Sequence, residues 1–292
     1  LGRKRNLNIK EGVNLFMRLI KRYNVENNIL KHFIKFYWFM ESDSEISIDN
    51  KLLPVNNTDI IINYSSPVTY EKNGKPVIPD RVHFNGIRSS TEIIRQSGKV
   101  MVFGISFYPH GIYPLLKIPM REFAGKIENL DNVLGNFSGF IADIMADNNI
   151  SAKERIRVME KIILEKMDCD CLDNREKKVF SDFYVNNKSV KDFCSKSGVN
   201  IKYLERLFFK YTGVSPKVFS RITRFQRISR EMLYYRDYKN LTELAYDGEY
   251  YDQTHFIKEF REFSGVTPGK FLNGRETVKH LLSEERVKNY IN

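Results

Sequence analysis

The sequence predicts an α+β fold. A mostly antiparallel sheet with covering helices forms the N-terminal part, and an all-α part built from two copies of one helical unit joined by a long helix follows. Three observations carry this. β-Branched and aromatic residues concentrate between residues 33 and 108, hydrophobic spacing becomes helical after Pro109, and a segment beginning at Phe208 recurs at Phe260. The 292 residues are 42% hydrophobic and 13% aromatic, which suffices for two domains with cores of their own. Such a composition excludes collagenous, disulfide-stapled and disordered classes.

Residues 11–30 read as a weakly amphipathic helix, with Val13, Phe16, Leu19 and Ile20 at helical spacing. The run Phe33 to Phe39 then has strand character, and Ile46-Ser47-Ile48 alternates. Asp59 to Tyr64 reads as a buried strand. Val68-Thr69-Tyr70 and Pro76-Val77-Ile78 flank Asn73-Gly74, a dipeptide that readily supplies the positive φ angles of a hairpin turn. Val82 to Ile87 and Lys99 to Tyr108 complete about five or six strands. In the last of these Met101, Phe103, Ile105 and Phe107 share a face.

Beyond Pro109, Val133 to Met145 places Leu134, Phe137, Ile141, Ile144 and Met145 on one helical stripe. A second helix starts at Ser151, whose hydroxyl can cap it while Glu154 closes a capping box, and its stripe is Ile156, Met159, Ile163 and Met167. This helical hairpin either covers the sheet or supplies a homodimer contact. The polar stretch Asp168 to Lys178 marks a boundary, dividing the chain into an N-terminal domain (residues 1–174), a dimerisation domain if the hairpin makes that contact, and a helical domain with a short tail (residues 175–292).

The helical part contains a repeat. Phe208 to Phe219 matches Phe260 to Phe271 at an offset of 52, with Phe, Gly, Val, a hydroxyl residue, Pro and Phe in identical places. Gly213 and Gly265 suit left-handed helix ends, Ser215 and Thr267 suit caps, and Pro216 and Pro268 suit a first turn. Upstream of each copy lies a short helix (Val190 to Lys196; Leu241 to Tyr246), a turn, a capping residue (Asn200; Asp252) and a second helix (Ile201 to Lys210; Gln253 to Phe263). These are two helix-turn-helix units, a plan in which the second helix presents its N-terminal residues to base edges in the major groove. Between them Ser215 to Tyr235 can form one helix of ~30 Å, close to the ~34 Å pitch of B-DNA. Arg221, Arg224, Arg227 and Arg230 wrap around that spacer, so only some of them can approach phosphates.

Leu241-Thr242-Glu243-Leu244-Ala245, Tyr250-Tyr251-Asp252-Gln253-Thr254-His255-Phe256-Ile257-Lys258-Glu259-Phe260 and Gly265-Val266-Thr267-Pro268 resemble the C-terminal signature of the AraC/XylS family of bacterial transcription regulators. The resemblance covers roughly Phe180 to Gly274. The N-terminal segments Phe36-Tyr37-Trp38, Leu53-Pro54, Ile60-Ile61-Ile62-Asn63 and Gly104 to Gly111 are similar to a sensor-like region found in one branch of these regulators. The resemblance implies double-stranded DNA as the partner. Lys202, Glu205 and Arg206, with Ile201 and Tyr203 alongside, would read bases from the first unit; Thr254, His255 and Lys258, with Gln253, would do so from the second. The chemistry agrees in part: Arg206 suits guanine, Gln253 adenine, and Glu205 a cytosine amine, although a carboxylate in the groove also opposes nearby phosphates. One position departs from the family. Its turn glycine aligns with Glu249, so either the turn shifts to Gly248 or Glu249 adopts a left-handed conformation at a cost of roughly 1 kcal/mol.

Charge follows the same division. The net charge is +11; residues 175–292 carry 23 basic and 15 acidic side chains, residues 11–174 carry 20 and 21, and the first ten residues carry four basic ones. A basic helical part suits a polyanion, though Lys-rich surfaces also simply confer solubility. Cys169, Cys171 and Cys194 are too few and odd in number for a disulfide framework, which points to the cytoplasm. The longest apolar runs, such as Val100 to Ile105, are strand-sized, so no membrane association is expected, and Leu1-Gly2-Arg3-Lys4-Arg5 opens no secretory signal. Cys169-Asp170-Cys171 lacks the second pair of a zinc site, His32, His83 and His110 have no nucleophile in a recognised motif, and no phosphate-cradling glycine loop occurs. No cofactor, metal or catalysis is expected. The reading is a DNA-binding regulator controlled by a small-molecule effector, by dimerisation, or by both. The alternatives are an enzyme or binding protein with a helical interaction module, and a regulator without an effector. Trp38, Tyr108 and His110, with Tyr37, Phe103 and Phe107, either line an effector pocket or belong to the core.

Overall fold

The computed structural model describes residues 20–147, 149–186, 189–234 and 241–273. Its N-terminal part is built from ten strands: β1 (Ile20–Tyr23), β2 (Ile34–Glu41), β3 (Ile46–Leu52), β4 (Thr58–Asn63), β5 (Val68–Lys72), β6 (Lys75–Val77), β7 (Val82–Asn85), β8 (Glu92–Gly98), β9 (Met101–Phe107) and β10 (Ile127–Asn129). They form a six-stranded sheet in the order β1-β2-β9-β4-β7-β10 and a four-stranded sheet in the order β3-β8-β5-β6. All the pairings are antiparallel.

The helices follow in chain order: α1 (Tyr113–Leu116), α2 (Asp131–Leu134), α3 (Phe137–Ala146), α4 (Ala152–Lys166), α5 (Asn174–Asn186), α6 (Val190–Ser197), α7 (Ile201–Tyr211), α8 (Pro216–Tyr234), α9 (Leu241–Asp247), α10 (Gln253–Ser264) and α11 (Pro268–Asn273). The α+β class and its division into antiparallel sheets and a helical region are therefore as the sequence predicts. None of the helices among the described residues is long and apolar enough to cross a membrane.

Alternation along the strands builds the layers. In the larger sheet Tyr37, Phe39, Ile60, Ile62, Phe103, Ile105 and Phe107 turn to the helical side and are buried. Phe36, Trp38, Met40, Ile61 and Val102 point the other way, toward Leu52, Val68 and Ile94 of the smaller sheet. Phe39 and Phe103 stack at 4.5 Å, and the Tyr37 hydroxyl donates to Glu160 Oε1 at 3.1 Å, which fastens α4 to the sheet. The capping box of α4 is present: the Glu154 N–H donates to Ser151 Oγ at 3.3 Å and the Ser151 N–H to Glu154 Oε2 at 2.9 Å.

Four expectations change. Residues 20–23 are a strand, not the end of a helix, because Ile20 to Tyr23 find partners in Met40 to Tyr37; residues 11–19 lie outside the described residues. The strands exceed five or six and divide into two sheets, because β8 mixes Arg95 and Gln96 with Ile93 and Ile94 and so hides its alternation. The helix expected over Val133 to Met145 is broken into α2 and α3 at Gly135, whose φ is +68°. The polar stretch Asp168 to Lys178, read as a boundary, already contains the start of α5 at Asn174.

One hydrophobic cluster runs from Leu30 and Phe107 of the N-terminal part through Phe180 and Phe208 to Phe260 and Phe271 of the helical region. Polar bonds cross the same junction. Asn56 Nδ2 donates to Phe219 O on α8 at 3.2 Å, and the Thr91 hydroxyl donates to Phe263 O on α10 at 2.6 Å. Gly213, at φ +81°, passes so close to the Met120 carbonyl that an added Cβ would lie 2.4 Å from its oxygen.

Candidate nucleic-acid interface

In the first unit, Ser189 caps α6 by accepting from the Asp192 N–H at 3.1 Å, Gly198 ends it in a left-handed conformation (φ +68°), and Asn200 caps α7 by accepting from the Lys202 N–H at 2.8 Å. Leu204, Leu207, Phe208 and Tyr211 point inward from α7. The opposite face carries Ile201, Lys202, Glu205 and Arg206, all exposed. Tyr203 is half-buried at the edge of that face, with the Arg206 guanidinium 5.5 Å and the Arg175 guanidinium 5.0 Å from its ring.

The second unit repeats the plan. Asp252 caps α10 by accepting from the His255 N–H at 2.7 Å, and Phe256, Glu259, Phe260 and Phe263 face inward. Gln253, Thr254, His255 and Lys258 are exposed on the outer side. The second copies of the hydroxyl caps are also in place: Ser215 Oγ accepts from the Val218 N–H at 3.3 Å and Thr267 Oγ1 from the Lys270 N–H at 3.4 Å.

Glu249 has φ +57°, so the turn does not shift to Gly248. Its backbone closes the end of α9, with the Glu249 N–H on Tyr246 O and the Tyr250 N–H on Ala245 O, both at 2.9 Å. Gly248 meets a different demand, since a Cβ there would come within 2.7 Å of the Tyr250 ring. Glu249→Gly is expected to raise stability by about 0.5 to 1 kcal/mol by relieving the left-handed backbone. Urea denaturation checks this; an unchanged or lower midpoint contradicts it.

Inward-facing Glu259 is 3% exposed and is the hub of a charge cluster. Arg221 Nε reaches its Oε2 at 2.7 Å and Arg224 Nη2 its Oε1 at 2.7 Å. Arg224 also lies 4.3 Å from the centre of the Tyr250 ring, and Arg227 Nη2 donates to Asp247 O at 3.1 Å. Three of the spacer arginines thus bind the second unit to α8. His255 Nε2 stands 3.8 Å from the same carboxylate, so this residue combines an outward-facing ring with an inward tie.

Two contributors escaped the sequence reading. Arg175 fell within the supposed boundary, although Asp173 and Glu176 have capping-box spacing; the Glu176 N–H donates to Asp173 Oδ1 at 2.7 Å and starts α5 there. Glu259 was not singled out, and only its spacing of three from Phe256 and four from Phe263 signals that it points inward.

Residues 193–274 match the family model described as "Helix-turn-helix domain". The C-terminal region is an AraC-type helix-turn-helix domain. Residues 27–128 match a second family model, "Domain of unknown function (DUF6597)". No curated protein matches the chain. Among solved structures, ToxT from Vibrio cholerae is similar at 15% identity, over 79% of this chain and 98% of that one, with a TM-score of 0.41. ToxT from Vibrio cholerae O395 bound to (E)-4-(8-methylnaphthalen-1-yl)but-3-enoic acid is similar at 13% identity, over 79% and 99% of the chains, with a TM-score of 0.41. The AraC-like transcriptional activator CuxR is similar at 12% identity, over 75% and 90%, with a TM-score of 0.27. At such identities and scores the likeness says nothing of ligand or activity.

Outside the helix-turn-helix domain the aromatic candidates separate. Tyr37, Phe103 and Phe107 are core residues, at most 1% exposed. Trp38 lines a cavity of about 200 Å³ between the two sheets, its ring lying against Gly104, whereas Tyr108 and His110 line a separate cleft. The cavity between the sheets has apolar walls and a polar floor. Asp59 accepts from the Ser106 hydroxyl and from Asn57 Nδ2 at 2.9 Å, and burial pushes its carboxyl above the usual range despite those donors and Arg88. Asn85 Oδ1 and Arg88 Nε are buried without a hydrogen-bond partner among the described residues. Gln226 and Arg230 of α8 border the same space.

Behind the floor, His83 is fully buried; its Nδ1 bonds to Asp80 O at 2.9 Å and its Nε2 to the Tyr70 hydroxyl at 3.0 Å. The carbonyl requires the proton on Nδ1, so Nε2 accepts from Tyr70. Burial pushes the His83 imidazole down to about 4. Because the folded value lies below the unfolded value of about 6.5, this stabilisation is complete above that pH and is lost as the pH falls toward 4, about 2 kcal/mol being lost between pH 7 and 5. Denaturation at the two pH values, compared with His83→Gln, tests this; an equal slope in the variant contradicts it.

The three thiols are free. Among the described residues no group of three or more His, Cys, Asp or Glu side chains gathers as a metal site would require.

Proposed function

We propose that the protein is a sequence-specific transcription regulator in which α7 and α10 enter successive major-groove segments of double-stranded DNA. The observation that carries this is the duplicated unit: each copy turns a polar second helix outward, and α8, which joins them, is about 28 Å long by its 19 residues, close to one turn of B-DNA. Lys202, Glu205, Arg206, Gln253, Thr254, His255 and Lys258 face the bases, with Ile201 and Tyr203 supplying apolar contact. The Thr242 hydroxyl lies 3.4 Å from Gln253 Oε1 and orients that amide. Arg175 shares the Tyr203 ring with Arg206 but stands on α5, outside the recognition helix, which supports a contact to phosphate rather than to a base.

The two arginines therefore separate in one experiment. Arg206→Ala weakens binding to the preferred site by about 1 to 3 kcal/mol and relaxes the preference at one base pair, whereas Arg175→Ala weakens all duplexes alike and lowers the salt slope by about one. Titrations of matched and mismatched duplexes at several salt concentrations read both effects. An unchanged base preference in Arg206→Ala removes it from the readout set.

Residues 1–174 act as the controlling domain and residues 175–292 as the DNA-binding domain of a cytoplasmic protein. The cavity between the sheets supports small-molecule control, because its lining includes α8, and because Asn57, bonded to Asp59 in the cavity, adjoins Asn56, bonded to α8. Phe140, 60% exposed on α3, supports the hairpin of α3 and α4 as the place of self-association.

A further inference from the structure

The two copies of the repeat end their second helices alike. Thr212 Oγ1 and Ser264 Oγ, equivalent at the offset of 52, donate to Phe208 O and Phe260 O, each at 2.7 Å. They accept from the Val214 and Val266 N–H groups at 3.3 and 3.2 Å. Both helix ends also rest on the N-terminal part. Just past α7, Gly213 lies against the Met120 carbonyl and Ala124, with no room for a side chain. In the last turn of α10 the Phe263 carbonyl, one of the four that a helix end leaves without an internal partner, accepts from the Thr91 hydroxyl at 2.6 Å. Thr91 is held in place by its neighbour. It directly precedes β8, whose first residue, Glu92, is buried and lies 3.8 Å from Lys72 Nζ and 3.9 Å from Arg88 Nε.

We propose that the N-terminal part fixes the spacing and tilt of the two recognition helices, and that Thr91 is the positioning residue for α10. This rests on the reading of α7 and α10 as the helices that enter DNA. α8 joins the two units along one path. The N-terminal part joins them along a second, because it grips both at the same place in the repeat. The Glu259 cluster ties one face of α10 to α8, and a helix tied along one face can still swing about that line. A bond at the C-terminal end of α10 removes this freedom. It thereby aims Gln253, Thr254 and His255 at the opposite end, about 15 Å along the helix, where a small swing becomes a displacement across the groove.

Two duplexes test it: one carries the two blocks of bases that the wild-type full chain selects, at the selected spacing, and the other has one base pair inserted between the blocks. Thr91→Val keeps the shape of the side chain and removes the donor. Its preference for the selected spacing is expected to be about fivefold weaker than that of the wild type, the worth of one hydrogen bond, and Thr91→Ser, which keeps a hydroxyl, restores the preference. A loss of stability alone weakens both duplexes alike. Amide hydrogen exchange of the protein without DNA reads the tether itself: residues 253–264 are expected to exchange faster in Thr91→Val, while residues 201–211 keep the wild-type rates. An unchanged spacing preference in Thr91→Val, equal weakening on both duplexes, no rescue by Thr91→Ser, or unchanged exchange in α10 each overturns the proposal. A wild type that prefers no duplex overturns the DNA-binding reading and the role in spacing with it; faster exchange in α10 of Thr91→Val then shows that the reading failed and the tether did not.

Discussion

Glu259→Ala is expected to destabilise the protein by about 3 to 5 kcal/mol, the range for removing one partner from a buried ion pair and leaving the other charge uncompensated. The carboxylate receives Arg221 Nε and Arg224 Nη2, each at 2.7 Å, and those guanidinium groups are 25% and 21% exposed. Without it two partly buried cations face each other across the contact of α8 with α10. Only Arg221 keeps a carboxylate, that of exposed Glu262. The expected consequence is loss of the second unit's orientation, and of DNA affinity, before loss of the sheets. Guanidinium denaturation and DNA titration measure the two effects. A control distinguishes a missing partner from a missing attraction: in Arg221→Met/Arg224→Met/Glu259→Leu, which leaves only the exposed Glu262 charged, most of the stability returns. If Glu259→Ala cost less than about 1 kcal/mol, the cluster would be a solvated surface pair.

Phe208→Ala is the second large effect, again about 3 to 5 kcal/mol, from the cavity and the lost transfer energy of a buried phenyl group. Phe208 is 1% exposed and meets Phe180 at 5.1 Å, Phe183 at 4.8 Å and Phe219 at 5.3 Å. Its counterpart in the repeat, Phe260, has the same kind of surroundings in Phe225, Phe256 and Phe271, so Phe260→Ala carries a similar cost. The two sites differ in what lies beyond them. Phe180, in contact with Phe208, also stacks on His110, so damage at Phe208 reaches the N-terminal part through the shared cluster. One cooperative transition shifted as a whole is the expected denaturation profile. A profile in which the helical region melts separately while the sheets keep their original midpoint contradicts it.

The helical region was legible in the sequence because its signals are local and were given twice. Gly198, Asn200, Asp252 and Gly265 end or cap helices within a residue or two of where periodicity puts the boundaries. The departure at Glu249 left two readings of the turn, and the structure contains the left-handed one. The sheets were less legible, since pairing partners are distant in sequence and short strands such as β10 carry no pattern of their own. Period-2 alternation showed that the residues of β2 and β9 divide between two faces, but not which face would meet a second sheet. Trp38 and Tyr37 are neighbours in sequence, yet one borders a cavity and the other is sealed in the core. That only some of the spacer arginines could approach phosphates was legible, but which ones was not, because their partners, Glu259 and the Asp247 carbonyl, lie 20 or more residues away.

Selection of duplexes from a random-sequence pool by the full-length protein tests the central claim most directly. Two outward-facing recognition helices joined by α8 predict an enriched site with two blocks of preferred bases, their centres about 10 to 10.5 base pairs apart and read on one face of the duplex. Enrichment of a single block, of two blocks at an unrelated spacing, or of no sequence at all would contradict it.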